Sequence, residues 1–383
     1  MKTDGEFEIY IHIPFCVRKC RYCDFLSFPA SDDVIDKYVD ALLKEIRSKS
    51  IKGAEVSTVF IGGGTPSILT PEHIGDIMWE LKSSFRLKAN AEVTIEANPG
   101  TINEDKADAY IRNGINRVSI GLQSSQDIEL QKLGRIHSWQ DFLDSYNILR
   151  NAGIKNINVD IMSGLPLQSS YHYEETLSEV CELQPEHISA YSLIIEENTP
   201  FYGMYNDKDG KLKNELPDEE EERKQYYLTK SKLSQYGYKR YEISNYAKEG
   251  YECRHNTGYW KRTPYLGFGI GAASLYNEIR FNNIKDIECY ISNSNRKDFI
   301  TENIQQLTVK ERMEEYMFLG MRMAEGVSKS KFRQIFGKDI EEVYGDVIAK
   351  YEGYGMVKNA GGRVLLTDKG IDVSNVIFSE FLQ

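Results

Sequence analysis

Three thiols carry the strongest chemical signal in this chain. Cys16, Cys20 and Cys23 stand in HIPFCVRKCRYCDF, with the spacing C-x3-C-x2-C, directly after the short β-branched run EIYIHI. Three thiolates do not complete a tetrahedral structural zinc site, and neither a His nor a fourth Cys follows at zinc-like spacing. On a four-iron, four-sulfur cluster they leave one iron without a protein ligand. That open iron can bind a small molecule and pass an electron into it. A zinc ion with a remote fourth ligand is the other reading of the same spacing. His12, in the preceding run, reads as a packed or hydrogen-bonded residue. Tyr10 lies near the strand end, where its hydroxyl could face the ligand of the open iron. Cys181, Cys253 and Cys289 are scattered, unlike the pairs of a secreted disulfide framework.

A loop of thiols needs a rigid frame, and the first half of the chain supplies one. Runs rich in β-branched residues (EIYIHI, VSTVFI, EVTIEA, NRVSIGL, NINVDIM, HISAYSL) begin near residues 8, 56, 92, 116, 156 and 187. Helical patterns separate them. Ile35, Tyr38, Val39, Leu42, Leu43 and Ile46 share one face at three-to-four spacing. Thr70 and Pro71 form a helix start that satisfies or removes orphan N–H groups. Further helices are expected over 103–113, 125–132, 139–152 and 171–183. This alternation implies an α/β fold with parallel strands and right-handed crossovers. Six units fall short of the eight of a closed barrel, so an open or partial (β/α)6 barrel is expected. Its ligand end lies at the strand tips, where polar and glycine-rich signals gather.

The rhythm changes after residue 200. An acidic polar segment, YNDKDGKLKNELPDEEEERK, leads into a helix, its EEEE run favouring the helix dipole. Aromatic strand signals follow in YKRYEISNYA and PYLGFGIGAASLYN. The last 80 or so residues read as short helices, a hairpin (MVKNAGGRVLLT) and a final helix, a winged-helix-like order with no basic reading helix. The expected organisation is a barrel over 1–200, an accessory α+β region over 201–303 and a winged-helix-like domain over 304–383. The 383 residues carry 47 Lys and Arg against 58 Asp and Glu, a net charge of −11 that argues against nucleic acid as a partner. With no apolar leader and no membrane-length apolar run, the expected compartment is the cytoplasm.

The cysteine spacing resembles the radical S-adenosylmethionine superfamily, and further motifs narrow the resemblance to its coproporphyrinogen oxidase-like group. They are YIHIPFCVRKCRYCDF (10–25), GGGTPS (62–67), EANPG (96–100), SIGLQS (119–124), LGRIHS (133–138), NVDIMSGLP (158–166) and HNTGYW (255–260), in order along nearly the whole chain. The resemblance implies a 4Fe-4S cluster on the three cysteines. It also implies S-adenosyl-L-methionine on the open iron, cleaved there by one-electron reduction. Gly64 and Thr65 match the turn that holds the methionine end, glycine permitting close backbone approach. Glu96 matches the carboxylate that orients the amino group or nucleoside. Gln123 and Arg135 match ligands of the ribose and carboxylate, Arg135 through a charge-assisted fork. Asp160 matches the acceptor of the ribose hydroxyls, a role that explains a carboxylate in an apolar strand. Tyr22 matches a ring beside adenine, and Tyr10 completes the expected cofactor set.

Within that group, the decarboxylating oxidases carry a further cysteine two positions beyond the third, where this chain has Phe25, and a longer segment ahead of the motif. The haem-chaperone branch has phenylalanine there and carries HNxxYW, here His255, Asn256, Tyr259 and Trp260. The resemblance thus implies haem as cargo, with His255 contributing directly or indirectly and the other three in support. Imidazole suits iron, and flat aromatic rings pack on a porphyrin. The expected function is transfer of haem to an acceptor protein of the respiratory chain, dependent on the cluster and S-adenosylmethionine. Oxygen-independent oxidative decarboxylation of coproporphyrinogen is the runner-up, and radical chemistry on another substrate the third reading. Arg18, Lys19 and Arg21 around the cysteines suggest docking of a small acidic electron donor such as a flavodoxin or ferredoxin. A monomer or weak homodimer in transient contact with membrane proteins completes the expectation.

Overall fold

The computed structural model describes residues 6–51, 55–206 and 212–382. Part of the acidic polar segment after residue 206 therefore lies outside the described residues. Six strands open the fold: β1 (Glu6–Ile13), β2 (Glu55–Gly63), β3 (Arg86–Ala97), β4 (Arg117–Gln123), β5 (Ile157–Ser163) and β6 (His187–Ser192). They pair in sequence order and all in parallel, with helices in the crossovers. This is the expected partial (β/α)6 barrel. Alternation decides which side chains go where: Ile9, Ile11 and Ile13 of β1 enter the apolar core, while Glu8, Tyr10 and His12 face the other way. The inner side of the sheet is unusually polar, with Thr58, Glu92, Arg117, Asn158 and His187 buried there.

The helices are placed by local signals. Helix Asp32–Ser48 buries Tyr38, Val39, Leu42 and Ile46. Helix Pro71–Ser84 begins as its sequence implies, Thr70 Oγ1 accepting the His73 N–H at 3.2 Å. Helix Trp139–Ala152 carries a reciprocal cap between Ser138 and Asp141. The acidic run starts helix Glu219–Gln235, capped by Asp218.

The accessory residues extend this one sheet at both edges. β7 (Lys239–Arg240) and β8 (Asn245–Ala247) add antiparallel strands beyond β6. At the other edge β9 (Tyr265–Phe268) pairs parallel with β1, and β10 (Ala273–Tyr276), β11 (Ile279–Asn283) and β12 (Thr301–Gln306) follow antiparallel. The result is an open twelve-stranded sheet with β12 and β7 at its edges.

The carboxyl-terminal residues build a separate three-stranded sheet of β13 (Val327–Ser328), β14 (Val357–Ala360) and β15 (Arg363–Leu366), with β15 central. Its own core includes Met317, Phe332, Tyr344, Val364 and Phe381. The expected final helix is two short ones, Asp368–Asp372 and Ser374–Ser379, because Val373 leaves helical geometry between them. This unit is tied to the barrel side by the Ala324 N–H to Tyr241 O bond at 2.9 Å, and by the Arg262–Glu315 and Lys230–Asp368 pairs at 2.8 and 2.6 Å. Among the described residues no helix is long and apolar enough to cross a membrane.

Candidate functional site

The cysteine loop leaves β1 and is pinned at both ends. The Cys16 N–H donates to Phe28 O at 3.1 Å, and the Phe28 N–H donates to Pro14 O at 2.8 Å. In its middle the Arg21 N–H donates to Leu133 O, and Arg21 O accepts from the Phe201 N–H, both at 3.0 Å. Cys16, Cys20 and Cys23 are free and half-buried. They share a cavity of about 290 Å³ with Tyr22, Gly64, Thr65, Glu96, Gln123, Arg135 and Asp160. Among the described residues no three His, Cys, Asp or Glu side chains converge as a single-ion site.

Each partner reaches the cavity from a strand end. After β2 the chain turns so that the Gly64 N–H donates to Ile13 O and the Thr65 N–H to Phe15 O, both at 2.8 Å. A Cβ on Gly64 would stand 2.6 Å from Phe15 O and 3.0 Å from Cys16 Sγ, so only glycine lets this turn lie against the cysteine loop. Thr65 Oγ1 lies 3.5 Å from Cys16 Sγ and accepts from Asn98 Nδ2 at 2.8 Å. Glu96, ending β3, accepts the Gly63 N–H at 3.0 Å; burial and nearby Asp160 push its carboxyl up to about 7. Asp160 accepts from Asn158 Nδ2 at 2.7 Å and Ser119 Oγ at 3.3 Å, and burial raises it as well. Gln123 holds a left-handed φ of +75° at the end of β4 and is buried against the cavity.

Arg135 is delivered by a helix end. Gly134, at φ +76°, stops helix Asp127–Leu133 and turns the chain inward. The guanidinium then reaches Cys20 Sγ at 3.5 Å, Asn98 Oδ1 at 3.1 Å and Gly121 O, while its buried Nε has no partner. Tyr22 packs its ring toward Phe201. Asn98 and Ser119, from EANPG and SIGLQS, also contribute, through bonds to Thr65, Arg135 and Asp160 that their own neighbours in sequence do not announce.

The chemistry of this donor set fits a cluster with an amino-acid nucleoside. Three thiols, two carboxyl groups and a guanidinium with an unpartnered N–H line the one cavity. The Gly64 cradle brings backbone close to the first sulfur.

Tyr10 and the HNTGYW residues are not in this cavity. Tyr10 points into the sheet interior, its hydroxyl 3.0 Å from His12 Nδ1, and His12 Nε2 binds Leu26 O at 2.8 Å. GFGIGAAS turns from β9 to β10 against His12 and Leu26. Helix Arg254–Trp260 closes the opposite end of the barrel, beside the first halves of β1, β2 and β3. His255 is 1 % exposed; Nδ1 pairs with Thr58 Oγ1 at 2.7 Å and Nε2 with Tyr259 OH at 3.1 Å. Its ring stacks on Phe60 at 5.1 Å, and its backbone N–H donates to Glu92 Oε1 at 3.2 Å. Burial and Arg117 pull this imidazole down to about 3, so it is neutral at physiological pH. Cys253 is buried with its thiol on Glu92 at 3.7 Å and pushed up to about 12, the state of an unreactive thiol. Tyr259 stands edge-on to Tyr265, Trp260 lies beneath the Arg322 guanidinium, and Asn256 is half-buried on the same helix.

A parallel six-strand half-barrel with three cysteines after its first strand defines the class. Residues 10–180 match the Radical SAM superfamily model, and the fold therefore implies a site for a 4Fe-4S cluster and S-adenosylmethionine. Residues 307–373 match the HemN C-terminal domain. The solved structure of coproporphyrinogen III oxidase (HemN) from Escherichia coli superposes with a TM-score of 0.85 over 98 % of this chain and 90 % of that one, at 23 % identity, a likeness of fold. Heme chaperone HemW of Bacillus subtilis is 36 % identical over 97 % of this chain and 98 % of its own length. Its Lactococcus lactis namesake is 34 % identical over 97 % and 96 %. The chain belongs to the HemW-like family of radical SAM proteins.

Proposed function

We propose that this protein is a haem chaperone, binding haem and handing it to an acceptor protein, with the cluster and S-adenosylmethionine as conditions of the transfer. The observation that carries this reading is end-to-end similarity to relatives named heme chaperones, with phenylalanine at position 25. Cys16, Cys20 and Cys23 would hold the cluster, which would supply an electron-transfer centre. Gly64 and Thr65 position the methionine end through backbone and hydroxyl contacts. Arg135 offers its free Nε–H to the carboxylate. Glu96, its carboxyl pushed up to about 7 by burial and Asp160, would pair with the amino group, a cation there favouring its ionised form. Gln123 and Asp160 serve the ribose, and Tyr22 walls the adenine side. His255, Asn256, Tyr259 and Trp260 contribute to haem retention, His255 by fixing the position of its helix.

The deciding experiment is an anaerobic reconstitution assayed in parallel for haem transfer to a haem-requiring respiratory protein and for carbon dioxide release from coproporphyrinogen. Stoichiometric transfer with no carbon dioxide is expected. Robust S-adenosylmethionine-dependent decarboxylation would replace this reading with the oxidase.

A further inference from the structure

A second and larger cavity, about 680 Å³, lies at the barrel end away from the cysteines, between Glu8, Ser57 and Thr58 of β1 and β2, helix Arg254–Trp260, and residues 323–325 of the carboxyl-terminal unit. It adjoins a cleft of about 270 Å³ walled by Trp260, Tyr316 and Arg363, and the two share Lys261, Met323 and Glu325. The larger cavity lies within the range of about 300–1,000 Å³ usual for small-molecule sites.

Three buried polar atoms around this joined cleft have no hydrogen-bond partner among the described residues: Glu8 Oε2, Thr257 Oγ1 and Trp260 Nε1. An orphaned buried polar atom costs about 1–3 kcal/mol unless water or a ligand satisfies it, and three of them gather around this one cleft. Glu8 is 2 % exposed, its nearest basic neighbour being His255 Nδ1 at 4.0 Å. Gly258 is the residue that lets the helix cover it, since a Cβ there would collide with the Glu8 carboxyl. Burial and Glu92 push Glu8 up to about 9, which makes it a hydrogen-bond donor at neutral pH. All three orphans are then donors. Four basic side chains, Arg254, Lys261, Lys331 and Arg363, line the joined cleft against three carboxyl side chains, Glu8, Glu252 and Glu325. Glu325 is already held by Lys261 at 3.1 Å and Arg363 at 2.9 Å. Donors and cations call for an acceptor-rich anion; Met323, Ala324 and the Trp260 and Tyr316 rings call for a flat apolar body. A porphyrin with two carboxylates on one edge has both.

We propose that haem is held in this cleft by its propionate edge, with Glu8, Thr257 and Trp260 donating to the carboxylates and Lys261 and Arg254 supplying the charge. The proposal rests on the chaperone reading and gives HNTGYW a divided role. His255 staples its helix to Thr58 and Glu92, and Arg254, Thr257 and Lys261 of the helix and its end form a wall of the cargo site. His255 is thus a positioning residue, not an iron ligand.

The test is absorbance titration of the full-length, cluster-loaded protein with haemin and with haemin dimethyl ester, in which both propionates are blocked. Haemin should bind at least about tenfold more tightly than the ester to the wild type. Lys261→Ala and Thr257→Val should each narrow that gap severalfold while iron and sulfide content stay unchanged. Lys261 is exposed, so its variant carries the test if the Thr257 variant fails to fold. Equal affinity for haemin and its ester, or haemin affinity unchanged in Lys261→Ala and in any Thr257→Val that folds, would overturn the site and leave the chaperone reading standing. A wild type that binds no haemin overturns both.

Discussion

At the scale of single residues, the two barrel ends use buried carboxylates in opposite ways. Glu96 and Asp160 sit beside Arg135 and amide donors, which prepares them to ionise against a cationic or hydroxyl-bearing ligand. Asp160→Asn and Glu96→Gln should therefore each weaken S-adenosylmethionine binding by about tenfold in calorimetry, while cluster content is retained. Unchanged affinity in both variants would remove these residues from the cofactor site. Glu8, by contrast, is kept protonated. Its folded value of about 9 lies above the ordinary carboxyl value of 4.5, so between those limits the folded chain holds a proton that the unfolded chain has lost. Stability from this group is complete below about 4.5 and is lost as pH rises through about 9. His255 runs the other way: held near 3 against an ordinary 6.5, it loses stability as pH falls below about 6.5. Thermal unfolding of Glu8→Gln should be less sensitive to rising alkalinity than the wild type. Parallel pH curves would show that Glu8 is ionised in the folded chain.

At the scale of elements, the turn after β2 is the part whose geometry leaves least freedom. Gly64→Ala should push the cysteine loop outward through Phe15 O and Cys16 Sγ and lower iron and sulfide to well under the wild-type content after reconstitution. Gly75→Ala, on a helix where a Cβ would meet only Asn113, at an ordinary 3.9 Å, is the control that should load normally. The six parallel strands, their crossovers and the Thr70–Pro71 and Ser138 helix starts were readable from local pattern, because alternation and capping are properties of neighbouring residues. The gathering of Gly64, Thr65, Glu96, Gln123, Arg135 and Asp160 around the thiols was readable for a related reason: parallel strands bring all their carboxyl ends to one side. What local pattern could not disclose is pairing between distant segments. Nothing near His255 announces that its ring would be spent on Thr58, Tyr259 and Phe60. Alternation sets the face that Tyr10 takes but not its depth, and its hydroxyl meets His12 Nδ1 at 3.0 Å. The addition of β9 beside β1, and of β7 and β8 beyond β6, likewise depends on contacts far apart in sequence.

At the scale of the whole molecule, the charge distribution separates the cluster mouth from the rest. The chain carries a net charge of −11, yet Arg18, Lys19 and Arg21 stand exposed on the cysteine loop. Each is steadied by a backbone carbonyl: Arg18 by Gly134 O at 2.7 Å, Lys19 by Phe25 O at 2.7 Å and Arg21 by Lys132 O at 3.3 Å. Around them Val17, Phe25 and Ile194 are 61, 64 and 67 % exposed, an apolar rim that a partner would cover. A basic collar with an apolar rim over a redox site suits a small acidic electron donor, steered by charge and seated by apolar contact. Opposing charge elsewhere on the molecule makes the attraction local, so screening should weaken it steeply: the Debye length falls from about 10 Å at 0.1 M salt to about 3 Å at 1 M. Stopped-flow reduction of the cluster by a flavodoxin-type donor should slow by about an order of magnitude over that range. Lys19→Glu should slow it at low salt and have little effect at high salt, while a small uncharged reductant reduces both proteins alike. Rates with the protein donor that ignore both salt and Lys19→Glu would dismiss the collar as solvated loop charge.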